Sequence, residues 1–163
     1  KEAIETFKQA VSINPEFEAA YFNIGMVYNK VGRIEEAKKA FQNVVDLNPQ
    51  SKIGYYNIGV ASTKLGQYEQ AVTAYKKAID IQPEFVEALF NLGIVYGELG
   101  NIQDEMDAYK KAIRVNPDFI PAHYAIGQAY LKQGDKSAAL DEYKILKKLD
   151  SDIADKLFEE IYR

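Results

Sequence analysis

The chain has 163 residues, 47% of them apolar and 27% charged, with a net charge of −4, a composition in the globular range. Lysine and arginine are scattered among the acidic residues, which argues against nucleic-acid binding, since that needs a concentrated basic stripe. No run of 18 apolar residues offers a membrane span, and the absence of cysteine excludes disulfides and thiolate metal sites. The chain opens on residues 1–17, where Ala3, Phe7, Ala10 and Pro15 repeat the spacing of Ala37, Phe41, Val44 and Pro49 further on. They predict one helix stopped by proline.

Residues 18–51 predict two helices. Tyr21, Ile24, Gly25 and Tyr28 fall at i, i+3, i+4 and i+7, one face of a helix. Gly32 follows where a helix needs a residue able to turn left-handed. A second helix begins near Ile34, with Ala37, Phe41, Val44, Val45 and Leu47 as its expected buried stripe. Asn48-Pro49 ends it, because proline cannot continue the hydrogen-bond ladder and biases its predecessor away from helix. The unit is a helix hairpin.

The same punctuation recurs three more times. Pro15, Pro49, Pro83 and Pro117 are 34 residues apart, as are Gly25, Gly59, Gly93 and Gly127, and again Gly32, Gly66, Gly100 and Gly134. A fixed period of this size marks a stacked-repeat architecture. Glycine inside a helix costs about 1 kcal/mol against alanine, so its return at Gly25, Gly59, Gly93 and Gly127 implies close helix contact. The simplest expectation sets it against Ala37, Ala71 or Ala139 of the second helix. A lone hairpin leaves an apolar face open, so neighbouring hairpins must stack.

Four units, 18–51, 52–85, 86–119 and 120–153, carry the runs YFNIGMVY, YYNIGVAS, LFNLGIVY and HYAIGQAY, followed by A-x3-F or A-x3-Y and, in the first three, a closing proline. In these runs the chain resembles the tetratricopeptide repeat family. The resemblance implies an all-α fold, a right-handed solenoid of stacked antiparallel helix hairpins with the first helix of each unit lining a concave groove. Three positions depart from the pattern: Ser62 replaces a large residue, Glu105 a small one, and Ser151 a proline. Glu105 is expected either to bend toward solvent or to be neutralised.

The ends differ. Residues 1–17 match only the second helix of a unit, so a preceding helix is expected upstream, and Ala3, Ile4, Phe7 and Val11 are expected to form a partly uncovered apolar face able to self-associate. Residues 154–163 read as a capping helix. Ile153, Leu157, Phe158 and Ile161 form its apolar stripe, and Asp155, Lys156, Glu159 and Glu160 its polar side.

Candidate ligand contacts lie on the first-helix places not spent on packing within the unit. Asn23, Asn57 and Asn91 share one repeat position, which Ala125 occupies in the fourth unit. An asparagine amide offers a donor and an acceptor, which suits a peptide backbone, and related asparagine ladders in the family hold a partner's main chain. Asparagine here could equally tie neighbouring helices together. Phe22, Tyr56, Phe90 and Tyr124, with Met26, Val60 and Ile94, flank the ladder as candidate apolar contacts, although aromatic residues at repeat spacing are commonly core. Ala19, Ile53, Glu87 and Pro121 stand where chaperone-associated relatives grip a terminal carboxylate with cations, so no such clamp is expected.

Catalytic parts are missing from the sequence. His123 is the lone histidine and replaces a packing aromatic, which suits a core role. Serine, cysteine and metal-dependent arrangements lack partners, and no glycine-rich phosphate loop occurs. The expected function is a protein–protein interaction scaffold that binds an extended peptide or a partner protein in its groove, without metal or cofactor. The alternatives are a homo-oligomer joined through the N-terminal face and a substrate-recognition arm of a larger enzyme.

Overall fold

The computed structural model describes residues 2–163, with side chains from Glu5 onward. Among the described residues there are ten α-helices and no strand: α1 (Glu2–Ile13), α2 (Glu18–Lys30), α3 (Ile34–Leu47), α4 (Lys52–Lys64), α5 (Tyr68–Ile81), α6 (Val86–Glu98), α7 (Ile102–Val115), α8 (Ile120–Lys132), α9 (Lys136–Leu149) and α10 (Ser151–Ile161). They form two compact units, one ending at Pro83 and the other running Glu84–Arg163.

In the first unit, α2 pairs with α3 and α4 with α5, while α1 packs on α2 and α3 on α4. The turns between paired helices close on Gly32 and Gly66, whose φ angles of 79° and 71° are the left-handed values that only glycine adopts freely. Ile24, Tyr28, Ala37, Phe41, Val45 and Ile58 make the core, and Phe7 and Val11 of α1 pack against it. Those two residues, expected on a partly uncovered face, are half-buried. The side chains of Ala3 and Ile4 lie outside the described residues. Leu47, expected in the buried stripe of α3, is instead 39% exposed.

The in-helix glycines meet an aromatic ring, which corrects the expectation of an alanine partner. A Cβ on Gly25 would lie 2.5 Å from the Phe41 ring, and one on Gly59 2.5 Å from the Tyr75 ring. Each glycine is a slot for the ring one turn beyond the small residue Ala37 or Ala71. Tyr75 is fully buried, so a shift of its ring would disturb the core around it. Gly59→Ala should therefore cost about 1–2 kcal/mol net of its propensity gain, read as a lower urea midpoint. An unchanged midpoint would show that the ring can shift.

Ser62, the departure in the second unit, is fully buried, and its hydroxyl makes no hydrogen bond among the described residues. An unpaired buried hydroxyl is a net cost. Ser62→Ala is expected to raise stability by about 1 kcal/mol, seen as a higher midpoint in the same titration.

The second unit repeats the scheme, with α6 paired to α7, α8 to α9, and α10 packed on α9 and α8. A Cβ on Gly93 would lie 2.5 Å from the Tyr109 ring. One on Gly127 would instead lie 2.7 Å from Leu157 of α10, so the capping helix fills the slot that an aromatic fills elsewhere. Leu157 and Ile161 are buried, whereas Phe158, expected in the same stripe, is 41% exposed and stacks between Tyr143 and Tyr162 with centroids 5.1 and 4.6 Å away. The turn before α10 lacks proline, yet Asp150 accepts from the backbone N–H groups of Asp152 and Ile153 at 3.0 and 3.1 Å. This cap does what the Asn-Pro turns do elsewhere, where Asn48 and Asn116 accept from Gln50 and Asp118 at 3.1 and 3.2 Å.

Candidate functional site

In the first unit the expected ligand residues stand on α2 and α4. Asn23 is exposed. Asn57 is half-buried and its amide nitrogen donates to the Ile53 carbonyl of its own helix at 2.8 Å, leaving its oxygen as an acceptor. Lys64 ties α4 to α2 through the Asn29 side chain at 2.7 Å. Phe22 and Tyr56 are half-buried and lean on Phe41 and Tyr75, each with centroids 5.9 Å apart. These rings divide themselves between core and surface. Met26 is 43% exposed, and Val60 is half-buried.

In the second unit, α6 carries Asn91, Phe90 and Ile94, all half-buried. Phe90 is the most committed to packing, with Tyr109 and Phe119 centroids 5.6 and 5.4 Å away. On α8, Tyr124 donates to the Glu160 carboxylate at 2.6 Å, and the Gln128 amide nitrogen bonds the same carboxylate at 3.1 and 3.2 Å. Burial, reinforced by Glu160, pushes the Tyr124 phenol up to about 12. A tyrosine–carboxylate–glutamine seam thus flanks Ala125, the place where the other first-type helices carry asparagine. Sequence reading left Glu160 on the polar side of the cap. Its place next to buried Ile161 was the available signal.

A cavity of about 340 Å³ opens beside this seam, between α6, α7 and α8. Ile94 and Ala125 form its apolar side; Glu98, Glu105, Gln128 and Lys132 form its polar side. Glu105 occupies the repeat position held by Ala37, Ala71 and Ala139 elsewhere, and it is buried like them. Room for it comes from Gly97, where the other units have Asn29, Thr63 and Leu131; a Cβ on Gly97 would lie 2.9 Å from the Glu105 carboxyl carbon. Lys132 donates to one carboxylate oxygen at 3.3 Å, while the other has no partner among the described residues. Glu105 is therefore neither solvent-facing nor fully satisfied. Burial first, and then the neighbouring Glu105, raises the Tyr109 phenol.

His123 is buried, with Nδ1 2.7 Å from the Glu142 carboxylate and Nε2 2.7 Å from the Pro117 carbonyl oxygen. Both ring nitrogens are engaged in packing α8 against α9 and the preceding turn. Among the described residues no group of three histidines or acidic side chains could hold a metal ion, and no helix is long and apolar enough to cross a membrane.

Helix hairpins at a fixed period, with ring-into-glycine packing, define a helical-repeat protein. The profile described as TPR repeat matches residues 1–32, 61–100 and 106–134, and profiles described as tetratricopeptide repeat match 18–51, 86–119 and 122–152. The chain belongs to the tetratricopeptide repeat family. No curated protein matches it. Among solved structures it is similar to MamA, with a TM-score of 0.88 and 26% identity over 93% of this chain and 89% of that one. A MamA segment from Desulfovibrio magneticus RS-1 has a TM-score of 0.86 at 20% identity, covering 93% and 85% of the two chains. YrrB, described as a TPR protein with an unusual peptide-binding site, has a TM-score of 0.83 at 20% identity, covering 96% and 81%. The fold is thus the all-α solenoid class of these proteins, and the chain is a protein-interaction scaffold.

Proposed function

We propose that each unit holds a stretch of an extended peptide, or of an extended segment of a partner protein, along its first-type helices, α2 and α4 in the first unit and α6 and α8 in the second. The observation that carries this reading is the repeat of Asn23, Asn57 and Asn91 at equivalent helix places, each beside a half-buried aromatic ring. An amide that offers both donor and acceptor suits a peptide main chain, and the flanking rings supply apolar contact without a demand for one sequence. YrrB supports the reading as a fold relative with a peptide site. The first-turn places Ala19, Ile53, Glu87 and Pro121 lack the cations that would grip a terminal carboxylate, so the ligand is held along its backbone.

The test is a peptide-library selection on the immobilised chain, run in parallel on the Asn23→Ala/Asn57→Ala/Asn91→Ala variant after its helicity is verified. Peptides enriched by the native chain and lost by the variant are the expected result. Enrichment on neither would overturn the reading.

A further inference from the structure

The cavity between α6, α7 and α8 has a chemistry of its own. Its centre is the Glu105 carboxylate, 5% exposed, with one oxygen unpaired. Such an atom is costly to bury unless something completes it. Glu105 and Gly97 depart from the repeat together: the acidic side chain enters where other units have alanine, and the glycine clears the space it occupies. The space left is about 340 Å³ and opens beside Ile94 and Ala125, on the same helices as the proposed peptide contacts.

We propose that this cavity receives an arginine side chain of the bound peptide, a reading that rests on the peptide-binding function above. A guanidinium carries donors in a planar fork that matches both oxygens of a carboxylate, and Glu105 has one buried oxygen without a hydrogen-bond partner and the other held by Lys132 at 3.3 Å. The Gln128 nitrogen is committed to Glu160, so its oxygen remains as a second acceptor. Lys132 is 54% exposed where it meets the buried Glu105, so its ammonium can swing into water once a guanidinium takes over the charge of the carboxylate. The carboxylate-and-ammonium lining makes a poor cage for a calcium or magnesium ion, which takes six or more oxygen ligands. A lysine would engage the same carboxylate as a point charge, without the fork.

The test uses the whole chain and two probes, Nα-acetyl-arginine methylamide and its norleucine counterpart, followed by amide NMR. The arginine probe should shift Gly97, Glu105 and Gln128 in a saturable manner, and the norleucine probe should not. Glu105→Gln keeps the shape and removes the charge; it should weaken the arginine probe about tenfold or more. Equal shifts from both probes, no shift from either, or unchanged binding by Glu105→Gln would each overturn the proposal. The peptide library separates it from the broader reading. Enriched peptides that depend on the asparagines but show no preference for arginine would remove the pocket and leave the peptide face standing. Saturable arginine binding with no enriched peptide would leave the pocket and remove the face.

Discussion

Alanine at Asn23, Asn57 and Asn91 together should weaken a selected peptide about a hundredfold while the helical content stays native. Each amide hydrogen bond to a peptide backbone is worth about 1 kcal/mol net, and three give about 3 kcal/mol, two decades in Kd. Asn57 already donates to the Ile53 carbonyl, so its contribution comes through its oxygen. Losing the internal bond is cheap because that carbonyl belongs to an exposed residue and can turn to water. Fluorescence polarisation with a labelled library peptide reads the change. A loss under threefold with the fold intact would assign the asparagines to helix packing.

His123→Ala should destabilise the chain by about 3–4 kcal/mol in urea unfolding. The ring makes two hydrogen bonds of 2.7 Å, one to the Glu142 carboxylate and one to the Pro117 carbonyl. Alanine would leave both acceptors facing a void, and Glu142 is largely buried, at 15% side-chain exposure. The lost bonds and unpaired groups account for about 2–3 kcal/mol, and the cavity adds about 1 kcal/mol more. His123→Phe restores the volume but not the donors and should recover only the cavity part. A loss below 1 kcal/mol for alanine would mean that water replaces the ring.

The hairpin scheme was legible because it rests on local rules. Proline and left-handed glycine act on their own backbone, and Gly32, Gly66, Gly100 and Gly134 take φ angles of 71° to 80° where their spacing predicts helix ends. Apolar periodicity likewise marked Ile24, Tyr28, Ala37, Phe41, Val44 and Val45, all buried. The partner of the in-helix glycines was not legible. Phe41 and Ala37 sit one turn apart on the same face of α3, and periodicity cannot say which of them fills the slot; the ring standing 2.5 Å from where a Gly25 Cβ would be can. Phe158 shows the same limit at the edge of a stripe, where Leu157 and Ile161 turn inward and Phe158 lies with Tyr143 and Tyr162.

The candidate site divides along that line. Asn23, Asn57 and Asn91, and the aromatic residues beside them, follow from counting at the repeat period, and so do the departures at Ser62 and Glu105. What becomes of those departures depends on atoms far away in the chain. Glu105 stays buried because Gly97, on another helix, leaves it space and Lys132, on a third, reaches only one of its oxygens. Glu160 meets Tyr124 and Gln128 across more than 30 residues. The sequence alone determined the repeat and the hairpins, and it marked the places proposed to face a ligand, because helix periodicity and turn chemistry are local. Only the tertiary structure decided which rings fill the glycine slots and where a buried carboxylate is left half-satisfied, because packing and hydrogen-bond completion are settled between helices.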